Sequence, residues 1–223
     1  MAFLLAIEGA DGAGKATATA AVTERLNAAG LSAAALSFPR YAETVGGWAL
    51  GEYLAGRLPH AAAPETAATL YALDRFESRP HLIELAERHD VIVFDRYIAS
   101  NMAYQAAQVP PEQAPALLQW IEQLETVQFR LPAPHLSVYL DTPLDVARDL
   151  IARKRKRSYT DDTYDAYEAD LGLQARVRAN YAAMADGAML GEWTTVSTVA
   201  HGELRDPAEI ADEITTLVTQ RLR

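Results

Sequence analysis

The stretch GADGAGK, from Gly9 to Lys15, lies between an apolar run and a segment with helical spacing. The apolar run, FLLAI at residues 3–7, has the composition of a buried strand. A glycine-rich turn between a strand and a helix presents backbone N–H groups at the helix N-terminus, where the helix dipole favours a phosphate. Lys15 adds a mobile positive charge. The stretch therefore predicts a phosphate-binding loop for a nucleoside triphosphate, the alternative being a glycine-rich turn without a ligand.

The residue after Lys15 departs from the usual pattern of such loops. Ala16 stands where a Ser or Thr hydroxyl is expected to bind Mg²⁺. Thr17 is one place too late, because one helical step turns a side chain by about 100°. Either carboxylates bind Mg²⁺ in place of the hydroxyl, or the nucleotide binds with little or no metal and the protein is not a catalyst. The candidate nucleotide-binding residues are Gly9, Ala10, Asp11, Gly12, Ala13, Gly14, Lys15, Ala16 and Thr17.

Length and composition indicate one globular domain spanning residues 1–223. Half of the residues are apolar and 22% are charged, which is typical of a protein with a sizeable core. The net charge of -10 argues against nucleic acid as a partner. The sequence has no cysteine, no signal-peptide pattern at its start and no apolar run long enough to span a membrane. We therefore expect a cytoplasmic protein without a membrane partner.

Short apolar runs alternate with segments of helical spacing along the chain. This alternation predicts an α/β fold with a parallel sheet covered by helices on both faces. One helix should follow Lys15 and stop at Gly30; others should be capped by Thr142 and by Asp206, each followed by proline. The predicted strands are residues 3–7, 33–38, 91–94, 136–140 and 194–199.

Two predicted strands end in residues suited to phosphate chemistry. Asp95 and Arg96 follow the third run, and Arg40 follows the second, so both arginines should lie at the sheet edge where ligands of such folds bind. Arg40 and Arg96 could each grip a phosphate or pair with a surface carboxylate, and Asp95 could bind a metal or cap a helix. These alternatives stay open on the residues alone.

Two further groups of residues are candidates for binding. The basic run at residues 153–157, followed by acidic residues, predicts a mobile lid at about 151–168; a solvated helix end or a nucleic-acid patch are the alternatives. Tyr71 and Tyr104 occur near Arg75 and Asn101, a combination suited to stacking on a base and bonding its edge, although such aromatics are more often core residues.

Five blocks in order, AIEGADGAGK, FPRY, LYALDR, DRYIASNMAY and DAYEAD, resemble the thymidylate kinase family in its bacterial form. The resemblance covers almost the whole chain. It implies a three-layer α/β/α P-loop kinase fold with a five-stranded parallel sheet, and usually a homodimer. It also implies ATP, with Mg²⁺, as the donor of a phosphoryl group to thymidine monophosphate.

The resemblance assigns roles residue by residue. Tyr71 matches the residue that stacks on thymine, Arg75 and Asn101 match those that read the base edge, and Tyr104 matches the one that favours deoxyribose. Because Gly12 and Ala13 stand where the family can carry a loop arginine, the lid must supply it. The implied substrate residues are Phe38, Arg40, Tyr41, Tyr71, Arg75, Asp95, Arg96, Asn101, Tyr104, Asp165 and Tyr167. The implied catalytic residues are Lys15, Asp11, Arg96, Arg153 and Arg157, and the metal candidates are Asp11, Glu168 and Asp95.

The rival functions are a regulatory GTPase, a kinase for another nucleoside or nucleotide acceptor, and a nucleotide-binding protein that has lost catalysis. The GTPase is disfavoured because none of the three lysines follows an asparagine, as its guanine-binding motif requires. The last rival is motivated by Ala16.

Overall fold

A computed structural model describes residues 2–157 and 170–222, with the side chains of residues 153–157 outside the description. Its main sheet has five parallel strands in the order β2-β3-β1-β4-β5. The predicted five-stranded parallel sheet is confirmed. The strands are β1 (Phe3–Glu8), β2 (Ala33–Ser37), β3 (Val91–Asp95), β4 (Leu136–Asp141) and β5 (Glu192–Ser197).

Helices connect the strands and cover both faces of the sheet. They are α1 (Lys15–Ala28), α2 (Val45–Leu54), α3 (Pro64–Glu77), α4 (Arg79–Arg88), α5 (Ile98–Ala106), α6 (Ala114–Glu122), α7 (Leu144–Arg157), α8 (Leu171–Asp186) and α9 (Pro207–Arg221). A π-helical turn, Gln123–Gln128, continues α6. A two-stranded antiparallel ribbon, β6 (Val199–Ala200) with β7 (Glu203–Leu204), follows β5.

Two apolar clusters form the core, one on each face of the sheet. On one face, Val22 of α1 and Ile214 of α9 pack against alternate residues of the strands such as Leu5. On the other face, Ile98 of α5, Ile121 of α6 and Val177 of α8 pack against the remaining strand residues. Because the three central strands, β1, β3 and β4, are buried on both faces, they are nearly continuous apolar runs. The three-layer α/β/α prediction is confirmed.

The predicted helix boundaries were close to the observed ones. Gly30 has φ +86° after the end of α1, and Asp206 caps α9 by accepting a hydrogen bond from Ala208 N at 2.8 Å. Thr142 was wrongly predicted as a cap. The helix α7 begins at Leu144, and Thr142 Oγ1 instead accepts a hydrogen bond from Thr198 Oγ1 at 2.9 Å, which ties the end of β4 to the residue after β5.

The fifth strand also differs from its prediction, since β5 begins at Glu192 and ends at Ser197. Its first residues are polar or half-buried because β5 is an edge strand, so apolar composition marks its start poorly. Among the helices in residues 2–157 and 170–222, none is long and apolar enough to cross a membrane.

Candidate active site

The loop after β1 is shaped by two glycines with left-handed backbone. Gly14 caps α1 with φ +85°, and Gly12 has φ +79°. A Cβ atom on Gly12 would lie 2.4 Å from Ala147 O of α7, so a side chain there would displace one of the two segments. Both Ala16 and Thr17 are exposed on α1. The loop is therefore packed against the first turns of α7.

Lys15 is the first residue of α1 and is buried against the loop. Its Nζ donates hydrogen bonds to Gly9 O at 2.9 Å and to Ala10 O at 2.7 Å. Burial, and then the positive charge of Arg96, lowers the pKa of Lys15 to about 8, while Asp11 is the strongest of the opposing carboxylates. The ammonium thus lies over the loop, bonded to neutral carbonyl groups.

Asp11 joins the loop to two distant elements. Its carboxylate forms an ion pair with Arg96, and its Oδ2 accepts a hydrogen bond from Gln174 Nε2 of α8 at 2.9 Å. Its backbone N–H donates to Gln174 Oε1 at 3.1 Å. Burial acts to raise the pKa of Asp11, but Arg96 and Lys15 outweigh it and lower the pKa to about 2. Asp11 is therefore a carboxylate at neutral pH.

Arg96 follows β3 in a strained conformation. Its φ is +65°, a region that residues with a side chain rarely occupy, and its N–H donates to Ile7 O at 3.1 Å. Its guanidinium lies 5.3 Å from the centre of the Tyr104 ring. Backbone strain of this kind is concentrated at functional sites. In this conformation, the Arg96 side chain reaches Asp11 of the loop.

Glu8 connects the loop strand to the start of α5, and sequence reasoning missed it. It is fully buried and accepts hydrogen bonds from Tyr97 N at 2.8 Å, Ser100 Oγ at 2.6 Å and Tyr181 OH at 3.0 Å. Burial raises the pKa of Glu8, and the hydrogen bonds from Ser100 and Tyr97 oppose this. The sequence did contain a signal for this residue, since Glu8 is a charged residue at the end of an apolar strand, directly before the glycine loop.

A second network lies on the side of α3. Arg75 donates to Glu125 from Nε at 2.5 Å and from Nη2 at 2.6 Å, and both side chains are buried. Asn101 Nδ2 donates to Glu125 Oε1 at 2.8 Å and to Ala68 O at 3.0 Å. The Arg75 guanidinium lies 5.9 Å from the centre of the Phe38 ring. Two predicted base-reading residues are thus brought together by Glu125, a residue that the sequence reasoning missed.

Glu125 had a weak sequence signal. It follows Leu117 and Ile121 at spacings of four, so a charged residue occupies a core position of an apolar stripe. Its partner Arg75 is 50 positions away, and nothing local joins the two.

The remaining predicted site residues are placed less closely together. Tyr71 is half-buried on α3, one helical turn before Arg75. Arg40 forms an ion pair with Glu43, its Nη1 donates to Ser78 Oγ at 3.1 Å and its N–H donates to Asp74 Oδ2 at 3.0 Å. Arg40 and the exposed Tyr41 line an open groove beside β2. The role of Arg40 at a phosphate and that of Tyr41 in substrate binding stay predictions.

Part of the predicted site lies outside the described residues. Asp165, Tyr167 and Glu168 belong to that part of the chain, and of Arg153 and Arg157 only the helical backbone is described. Within residues 2–157 and 170–222, no group of three or more His, Asp or Glu side chains is placed to hold a metal ion. Mg²⁺ at nucleotide sites commonly uses only one or two carboxylates together with phosphates, and the oxygen donors of Asp95 and Asp11 fit that chemistry.

The sheet order and the residues around the loop are those of a P-loop kinase. A parallel sheet with the order 2-3-1-4-5 carries a glycine-rich loop after its first strand, a lysine over that loop and an arginine at the neighbouring strand tip. The model of the thymidylate kinase family matches residues 7–200. The chain belongs to the thymidylate kinase family.

Individual relatives agree with this assignment. The chain is 37% identical over 211 residues to a thymidylate kinase of Mycobacterium tuberculosis, covering 93% of this chain and 95% of that protein. It is 31% identical over 233 residues to a thymidylate kinase of Thermomicrobium roseum, covering 100% and 97%. The solved thymidylate kinase structure from Candida albicans matches with a TM-score of 0.70 at 21% identity, over 99% of this chain and 91% of that one, which supports the fold.

Proposed function

We propose that this protein is an ATP-dependent thymidylate kinase, which transfers the γ-phosphoryl group of ATP to thymidine 5'-monophosphate and gives thymidine diphosphate. The observation that carries the proposal is the arrangement of Lys15, Asp11 and Arg96 at the loop, in a member of the thymidylate kinase family. The donor phosphates would lie on the loop N–H groups at the start of α1. The acceptor would lie between the loop and α5.

The reaction needs alignment and charge stabilisation more than proton transfer. An oxygen of the acceptor phosphate forms the new bond to the γ-phosphorus, the bond from that phosphorus to the β,γ-bridging oxygen breaks, and ADP leaves. The attacking oxygen is already ionised near neutral pH, so no strong general base is required. Lys15 would move from the loop carbonyls to the donor phosphates, and Arg96 would hold the acceptor phosphate.

Other groups complete this proposal. Mg²⁺ held by Asp95, Asp11 or Glu168 together with the phosphates would supply positive charge to the transferring group. Asp11 already bonds to Arg96 and Gln174, so it would reach the metal only by sharing or exchanging these contacts. Arg153 and Arg157 are the proposed lid cations. The homodimer and the cytoplasmic location remain predictions.

The base would lie at the network of Arg75, Glu125 and Asn101. Phe38 and Tyr71 are the aromatic candidates for stacking, and Arg75 and Asn101 are the candidates for hydrogen bonds to the base edge. Tyr104 lies beside Arg96, the proposed ligand of the acceptor phosphate, and we propose that it contacts the sugar.

An acceptor panel tests the proposed function. ADP formation would be measured with the monophosphates of thymidine, uridine, cytidine and adenosine, and with thymidine itself. We expect thymidine monophosphate to give the highest kcat/KM and unphosphorylated thymidine to give no turnover. Equal turnover of thymidine would indicate a nucleoside kinase, and inactivity with every acceptor would indicate a nucleotide-binding protein without catalysis.

A further inference from the structure

Glu125 accepts hydrogen bonds from both residues proposed to read the base. Its two oxygens receive Nε and Nη2 of Arg75, and Oε1 also receives Nδ2 of Asn101. These bonds join α3, α5 and the π-helical turn in the interior of the protein. π-Helical turns inside helices occur frequently at functional sites. One carboxylate therefore sets the position of two side chains on different helices.

The contacts of Asn101 fix which way its amide points. Its Nδ2 faces two acceptors, Glu125 Oε1 and Ala68 O, so the reverse orientation would place its oxygen against two other oxygens. Asn101 is 1% exposed, and its Oδ1 has no hydrogen-bond partner among the described residues. Buried acceptors without a partner are rare in folded proteins. The Oδ1 atom is therefore an acceptor that a hydrogen-bond donor of a bound ligand could satisfy.

Whereas Asn101 offers an acceptor, Arg75 can offer only donors, because a guanidinium has no acceptor atom. The pair with Glu125 uses Nε and Nη2, and Nη1 is not part of it. Burial disfavours the charge of Arg75, but Glu125 outweighs this and raises the pKa of Arg75. The network thus presents one acceptor from Asn101 and one donor face from Arg75.

This pattern distinguishes pyrimidine bases. Thymine and uracil carry a donor at N3–H next to an acceptor at O4, which complements Asn101 Oδ1 and Arg75. Cytosine carries an acceptor at N3 next to an amino group, so acceptor would face acceptor and donor would face donor. Sites built to hydrogen-bond a polar group reject analogues that leave the site's groups unpaired.

We propose that Glu125 is a positioning residue that determines base specificity: by holding the Asn101 amide nitrogen and the Arg75 guanidinium, it makes the site select thymine or uracil over cytosine. The inference rests on the proposed function, which places the base at this network. In Glu125→Gln, the amide nitrogen of the new side chain can face Asn101, and only Ala68 O then holds Asn101 Nδ2 in its present orientation. The Asn101 amide can then also adopt the reverse orientation, with its nitrogen toward the base, which would suit the N3 atom of cytosine.

The test compares Glu125→Gln with wild type and with the control Glu112→Gln, which removes the same charge at an exposed position before α6. Equilibrium titrations without ATP give the dissociation constants of thymidine and deoxycytidine monophosphates. We expect wild type and the control to prefer the thymidine ligand, and Glu125→Gln to lose about tenfold or more of that preference. A folded Glu125→Gln protein that keeps the wild-type preference would overturn the proposal.

A second variant covers the case in which Glu125→Gln does not fold. Glu125→Asp keeps the charge opposite Arg75 but is one methylene shorter, so it cannot hold both Arg75 and Asn101 in their present positions. We expect it to fold and to lose part of the preference. An unchanged preference, or the absence of a thermal unfolding transition in both variants, would mean that the residue is purely structural and would overturn the proposal.

The same wild-type sample separates this inference from the proposed function. If it binds thymidine monophosphate selectively but transfers no phosphoryl group from ATP, the proposed transfer reaction fails while the base-binding site remains, and the two Glu125 variants then decide the assignment of Glu125. If wild type binds both monophosphates equally, the assignment of Glu125 fails, whatever the turnover.

Discussion

The two halves of the site hold their charged groups in different ways. On the phosphate side, Arg96 is 23% exposed and its partner Asp11 is 12% exposed, and Lys15 bonds to neutral carbonyls. On the base side, Arg75 and Glu125 are 1% and 0% exposed and form a bidentate pair. A charged phosphate is a stronger partner for an ammonium than a carbonyl is. If phosphates bind at the loop and the base binds at the buried network, as we propose, the phosphate side can exchange partners while the base side keeps them.

This contrast explains how one site can be both selective and reactive. A base is neutral and is recognised by the direction of hydrogen bonds, which requires side chains that do not move. A transferring phosphoryl group gains and loses charge, so the cations near it must be able to follow the phosphates. In the proposed function, the buried network would serve the first need, and the loop lysine would serve the second.

Removing the loop cation should produce the largest effect. We expect Lys15→Ala to lower kcat by about 10³-fold or more, because one well-placed cation in phosphoryl transfer is worth about that much. Initial rates of ADP formation measure this, and circular dichroism checks the fold. Arg25→Ala, which removes a cation from the exposed side of the same helix, should leave kcat unchanged. Comparable rates for the two variants would show that Lys15 does not act on the transferring group.

Breaking the buried pair should affect stability more than turnover of the remaining folded protein. Glu125→Ala leaves Arg75 buried without its carboxylate, and we expect the free energy of unfolding to fall by roughly 3 to 5 kcal/mol. Urea denaturation measures the loss. As a control, Asp212→Ala breaks the exposed pair with Arg25 and should cost less than about 1 kcal/mol. Equal losses in the two variants would contradict the expected difference in stability between the buried pair and the exposed pair.

The smallest effect concerns the proton on Lys15. In the free protein its pKa is lowered to about 8, so the neutral amine becomes dominant as pH rises above 8. Bound phosphates would restore the charged form, and ATP binding near pH 8 should then take up about half a proton. Calorimetry in buffers of different ionisation enthalpy measures the uptake. Lys15→Arg, which stays charged, should lose it; a binding enthalpy independent of buffer in wild type would contradict the assignment.

The geometry around the loop could be predicted from the sequence much better than the contacts of the buried network. The loop from Gly9 to Lys15 is contiguous, and its neighbouring strand and helix have clear spacing, so local pattern alone located it. Arg96 and Asp95 could be placed because the ends of parallel strands share one edge of the sheet. The same local reasoning found the five strands, the end of α1 and the start of α9.

Long-range partners could not be predicted in this way. Gln174 lies 163 positions from Asp11, and Glu125 lies 50 positions from Arg75, so neither pairing has a spacing that a sequence pattern can reveal. The positive φ of Arg96 is likewise imposed by its surroundings, since arginine has no intrinsic preference for it. The prediction of Thr142 as a cap failed for a related reason, because its hydroxyl bonds to Thr198 instead.

Glu8 links the end of β1 to the start of α5. It ends the strand that leads into the phosphate loop, and it binds Tyr97 N and Ser100 Oγ at the start of the helix that carries Asn101 and Tyr104. Transfer between two bound nucleotides depends on the span between donor and acceptor to within about 1 Å. In the proposed function, the buried Glu8 side chain would therefore set the distance between the two nucleotides, and Glu8→Asp, which is one methylene shorter, would change that distance from a position outside both proposed binding sites.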